Sequence, residues 1–137
     1  MAEGLFRKLL EESPISGIQV TSAGLLALPG NQASDNAVRV ALDHGISLEN
    51  HEARLLRPSM VQQADLLVVM EPLHRAELLR RYPEATQKVL LLRHFARFGS
   101  RERPIQDPYG LSLETYRFCF EDIKECVESL HQWLAAS

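Results

Sequence analysis

The side chains whose types could do chemistry are few and far apart: Asp107 in "IQDPYG", Ser22 in "TSAG", His51 in "HEARLL", and two cysteines, Cys119 and Cys126. Taken singly, each has an ordinary reading. Asp-Pro-Tyr-Gly is the composition of a type I turn with aspartate at its first position. Ser22 at the end of a strand satisfies local backbone groups. His51 suits the surface or a helix cap. The cysteines lie seven residues apart in one helical pattern, so both face the same side, two turns apart and out of disulfide reach. His44, His94 and His131 are scattered, without ligand spacing for a metal.

Whether these residues meet depends on the elements that carry them. "MAEGLFRKLLEE" places Ala2, Leu5, Phe6, Leu9 and Leu10 on one apolar helical face, yet no Ser, Thr, Asp or Asn stands ahead to cap it. Ile18–Ser22 reads as a short strand ending in Ser22-Ala23-Gly24. "SDNAVRVALDHG" predicts a helix capped by Ser34 or Asp35 and stopped by Gly45. "RPSMVQQA" predicts a short helix with Pro58 in its first turn. Asp65–Met70 ("DLLVVM") is a continuous apolar run, as expected of a strand buried on both faces of a parallel sheet. "EPLHRAELLRRYP" is a helix that Glu71 starts and Pro83 ends. Val89–Leu92 forms another buried strand. A long charged loop, "ARFGSRERPIQDPYGLS", leads to a final helix over Ser112–Ala135, with Tyr116, Cys119, Phe120, Ile123, Val127, Leu130 and Leu134 inward. Strands alternating with helices predict one α/β domain over residues 1–137 with a parallel sheet. Such sheets bind ligands beyond the carboxyl ends of their strands. Those ends carry Ser22-Ala23-Gly24, Met70-Glu71 and the "QDPYG" loop.

Bulk properties narrow the function. The chain has 137 residues, 45% hydrophobic and 24% charged, with a net charge of -3. That size suits one globular core, and the acidic balance argues against a nucleic-acid or anionic-membrane partner. No apolar run is long enough to span a bilayer, and the amphipathic start is no signal peptide. Two cysteines that cannot bridge point to a reducing cytoplasm. The basic stretch "RHFARFGSRER", with its two Phe, reads as a solvated loop rather than a nucleic-acid patch, and Arg54 as a structural ion-pairing residue.

In this order and spacing, "MAEGLFRKLL", "TSAG", "HGISLENHEARLL", "ADLLVVM" and "DPYG" resemble the low-molecular-weight protein tyrosine phosphatases, over essentially the whole chain. The resemblance implies a three-layer α/β sandwich with a short parallel sheet of strand order 2-1-3-4. It implies hydrolysis of phosphotyrosine through a phosphocysteine, with no metal or organic cofactor. The substrate is then a phosphotyrosine protein or aryl phosphate, a tyrosine kinase being one candidate. Asp107 matches the family's general acid, which protonates the leaving phenolate and then activates water. Pro108 stiffens that loop, and Tyr109 forms a wall of the aromatic slot. Leu28 stands where some relatives carry an aromatic specificity residue. Ser22 and His51 match the residues that hydrogen-bond an Asn inside the phosphate loop and support its turns.

In that family a strand and a loop of pattern Cys-x5-Arg-Ser/Thr-Pro precede residues like Met1-Ala2-Glu3, and that loop cradles phosphate at a helix N-terminus. Here no Arg lies six residues after either cysteine; Gln132 holds that place after Cys126. The expectation is therefore an N-terminally truncated chain, inactive alone, whose central first strand is missing. Its absence should leave a slot between Ile18–Ser22 and Asp65–Met70, either empty or filled by closure or by a strand of another chain. Two alternatives remain open. One is a non-catalytic, phosphatase-like binding or regulatory module. The other is an arsenate reductase of the same fold, which needs further cysteines where "HFARFGSRERPIQ" has none.

Overall fold

The structure is a computed structural model and describes residues 1–25, 34–48, 54–96 and 111–136. Five α-helices are present among them: α1 (Ala2–Glu12), α2 (Asp35–Asp43), α3 (Pro58–Gln63), α4 (Pro72–Arg81) and α5 (Leu113–Ala135). Two strands, β1 (Leu67–Val69) and β2 (Val89–Leu91), pair in parallel with Leu67 opposite Val89 and Val69 opposite Leu91. Two 3-10 turns, Pro83–Lys88 and Leu92–Phe95, bracket β2.

Local signals set the helix limits. Ser34 caps α2 by accepting from the Ala37 N–H at 3.3 Å. After α2, Gly45 takes φ +75, a left-handed conformation natural to glycine, and its N–H reaches the Leu42 carbonyl. Pro58 and Pro72 open α3 and α4 at positions whose N–H needs no partner. Ser112 caps α5, and Glu71 stands at the N-cap of α4, as expected.

The helices form two layers around the short sheet. On one face α1, α2 and α5 enclose a core of Leu5, Phe6, Val40, Ala41, Phe120, Ile123 and Val127 with their neighbours; on the other, α3 and α4 enclose a smaller core of Val61, Leu78, Ala85 and Val89. β1 and the residues flanking it serve both: Leu66, Val68 and Met70 pack on the first, Leu67 and Val69 on the second. This alternation is the period-2 geometry of a strand with both faces covered.

Two expectations need correction. Ile18–Ser22 forms no strand; only Gly24 makes a bridge, parallel to Leu55. A strand exists only where a neighbour supplies backbone partners, and among the described residues none lies beside this stretch. Likewise "RHFARFGSRER" is not all solvated loop. Arg93 is 2% exposed and donates through Nη1 to Asp122 Oδ1 at 2.6 Å, with a second contact from Nη2 to Oδ2. Phe95 lies half-buried against Trp133, ring centroids 5.6 Å apart. Residues 97–103 of that stretch lie outside the described residues. Arg54, read as an ion-pairing residue, is exposed and makes no ion pair among the described residues; its carbonyl accepts from the Gly24 N–H.

Candidate active site

Of the five side chains assigned to the site by the resemblance, Ser22 alone lies among the described residues. Leu28, His51, Asp107 and Tyr109 fall in segments 26–33, 49–53 and 97–110, outside them. The site is therefore built from the described residues that flank these segments.

Ser22 is exposed, on an extended stretch after α1. Arg7 of α1 donates through Nη2 to the Val20 carbonyl at 2.7 Å, which fixes the stretch against the first helix. Two residues past Ser22, the Gly24 N–H donates to the Arg54 carbonyl at 2.8 Å, and its carbonyl accepts from the Leu56 N–H at 2.9 Å. This bridge draws the end of the Ser22 stretch to the residue that follows segment 49–53, the segment of His51. Leu25, the last described residue before segment 26–33, is held by Arg81 of α4, whose Nη1 donates to its carbonyl at 3.2 Å.

A second pair of contacts joins the other two segments at their far ends. Ser34, directly after 26–33, donates through Oγ to the Tyr116 hydroxyl at 3.0 Å. Asn36 donates through Nδ2 to the carbonyl of Leu111, directly after 97–110, at 3.2 Å. The segments bearing Leu28 and Asp107 thus end side by side at the start of α2 and α5. Sequence reading placed Ser34 as a cap and Tyr116 on an inner face. Their partnership, 82 residues apart, has no local signal and was not legible.

Neither cysteine belongs to this arrangement. Cys119 and Cys126 are free and buried inside α5. Burial pushes the Cys126 thiol up, against a smaller opposing pull from Arg93, and a buried protonated thiol is a poor nucleophile. A surface groove of about 570 Å³ between α1, the end of α2 and α5, lined by Lys8, Glu12, His44, Lys124 and Glu128 among others, shares no residue with the site. Among the described residues, no group of three His, Cys, Asp or Glu is placed to hold a metal ion.

Comparison with known proteins gives one family. A model described as "Low molecular weight phosphotyrosine protein phosphatase" matches residues 1–137. The chain is 35% identical over 129 residues to a probable low molecular weight protein-tyrosine-phosphatase EpsP of Ralstonia nicotianae, covering 94% of this chain and 82% of the relative. It is 40% identical over 120 residues to the low molecular weight protein-tyrosine-phosphatase Wzb of Salmonella typhi, covering 87% and 75%. Among solved structures, the YwlE arginine phosphatase of Geobacillus stearothermophilus superposes with a TM-score of 0.86 at 27% identity, covering 98% of this chain and 83% of that one.

Proposed function

The chain belongs to the low molecular weight phosphotyrosine protein phosphatases, and from that premise we propose that its residues serve the hydrolysis of protein phosphotyrosine. The observation that carries this reading is the family match across residues 1–137. The two joined pairs of segment ends support it, because they gather the stretches bearing Ser22, Leu28, His51 and Asp107.

In the proposed reaction a thiolate displaces the phenol from phosphorus. Asp107 gives its proton to the leaving oxygen, because an unprotonated phenolate leaves poorly. The same carboxylate then takes a proton from the water that attacks the phosphocysteine. Tyr109 walls the slot for the ring, Leu28 shapes its rim, and Ser22 and His51 support the phosphate loop. The substrate is a phosphotyrosine protein or an aryl phosphate, with a tyrosine kinase one candidate. Two unbridged cysteines favour a reducing, cytoplasmic setting. No helix among the described residues is long and apolar enough to cross a membrane.

The 137 residues contain no cysteine fit for the first step, so alone they turn over no aryl phosphate. The purified chain with p-nitrophenyl phosphate should show background hydrolysis; a rate of about 1 per second, an ordinary enzymatic value, contradicts this. Fused behind a strand and loop of the family's Cys-x5-Arg-Ser/Thr-Pro pattern, it should become active. In that fusion Asp107→Asn should lower kcat about 10²- to 10⁴-fold, the usual share of a general acid. An unaffected fusion removes Asp107 from the role. A fusion that cleaves phosphoarginine peptides and leaves phosphotyrosine peptides intact overturns the substrate assignment.

A further inference from the structure

α2 and α5 are anchored by packing only from their second turns onward. The first buried side chain of α2 is Ala37 and that of α5 is Tyr116; Ser34–Asn36 and Leu111–Thr115 are exposed or half-buried. The Leu111 side chain is more than half exposed, so apolar contact does not fix it. From other elements among the described residues, only the Asn36 amide reaches its backbone, Nδ2 donating to the carbonyl at 3.2 Å. A second tie runs the other way. The hydroxyl of buried Tyr116 accepts from Ser34 Oγ at 3.0 Å, and the same Ser34 oxygen accepts the Ala37 N–H at 3.3 Å. One serine hydroxyl thus caps α2 and joins it to α5. A single hydrogen bond between two helix starts would leave a hinge; two set their angle as well as their spacing.

Each tie holds the end of a short tether. Asp107 precedes Leu111 by four residues, and Leu28 precedes Ser34 by six. Four residues span at most about 14 Å, so the place of Leu111 limits where the Asp107 carboxyl can stand. A general acid works only within hydrogen-bond reach of the leaving oxygen, and a misplacement of about 1 Å can cost about 10²-fold in rate. We propose that Asn36 and Tyr116 are positioning residues, whose two hydrogen bonds set the general acid's segment against the segment that rims the aryl slot. The arrangement is reciprocal. Asn36, on the helix after Leu28's segment, holds the end of Asp107's; Tyr116, on the helix after Asp107's segment, holds the end of Leu28's. The inference rests on the phosphatase reading above, with Asp107 as its acid.

The test uses the active fusion described above, with Asn36→Ala, Tyr116→Phe and the two combined. Tyr116→Phe keeps the buried ring and leaves Ser34 as the α2 cap, and Asn36 lies at the surface, so neither change threatens the fold. Two substrates separate acid placement from general damage. Phenyl phosphate releases a phenolate that needs a proton; dinitrophenyl phosphate releases one that leaves without it. In the combined variant kcat/KM for phenyl phosphate should fall about tenfold, while that for the dinitrophenyl ester holds within about twofold. Each single variant should show a smaller loss with the same selectivity. Equal losses on both esters overturn the proposal, because a damaged fold or phosphate loop lowers both. No loss on either overturns it as well. Asp107→Asn, measured alongside, keeps the two readings apart. If it shows the leaving-group selectivity and the combined variant does not, the acid stands and the positioning role falls. If Asp107→Asn shows none, the acid assignment falls and takes the proposal with it, as does a fusion inactive on both esters.

Discussion

Glu77 stands between two arginines on one face of α4. Arg80 donates to it through Nε at 3.0 Å and Nη2 at 2.6 Å, and Arg81 through Nε at 2.8 Å. The Arg80 hydrogen bonds, then those of Arg81, hold its carboxyl down from 4.5 to about 2. A lowered carboxyl pKa contributes stability that is complete above the unfolded value and lost as pH falls through the folded one. The difference in Tm between the chain and Glu77→Gln should therefore stay constant from neutral pH to about pH 5, narrow below that, and fall to a small remnant by about pH 2. Thermal melts across that range check it, and a gap as wide at pH 2 as at neutral pH contradicts it. Because Arg81 also reaches the Leu25 carbonyl, Glu77 braces the entry to segment 26–33. At this scale the sequence alone revealed little. Asp107, Tyr109, Leu28, His51 and Ser22 carry ordinary readings by type and gain roles only through resemblance. Arg93 showed only as part of a basic run, because its partner is 29 residues away.

That ion pair belongs to the scale of elements, where it ties α5 to the turn after β2. Arg93 is 2% exposed and Asp122 15%. Removing the carboxylate with Asp122→Ala takes a two-point carboxylate partner from a buried guanidinium, a loss of about 3–5 kcal/mol. Urea unfolding should show a lower midpoint with an unchanged slope. Replacing both residues by Leu should recover most of the loss, since an apolar pair needs no counter-charge. Helices were legible because their signals are local: the Ser34 cap, the left-handed Gly45 and the opening prolines lie within a turn of the ends they set. Strands were less so. Val89–Leu92 shortens by one residue because Leu92 enters a 3-10 turn. Asp65–Met70 shortens to its middle, and Ile18–Ser22 pairs with nothing among the described residues. Strand length depends on a neighbour that composition does not name.

Over the whole molecule, the α/β layering and the parallel sheet followed from the alternation of apolar runs and amphipathic stretches, and family membership followed from motifs in order. What escaped sequence reading was the joining of distant ends: Gly24 to Leu55, Ser34 to Tyr116, Asn36 to Leu111. The long α5 is common to several of these ties. It meets α2 through Tyr116, the sheet through Asp122, and α1 through His131, whose Nε2 hydrogen-bonds the Ser13 carbonyl at 2.9 Å. Near its end stands Trp133, the chain's one tryptophan, half exposed and tilted against Phe95 of the turn after β2. The indole emission of the chain therefore comes from a single side chain at a single seam. A red shift in that light reports the tail of α5 lifting from the sheet, and a change confined to the Ser22 side of the molecule leaves its colour alone.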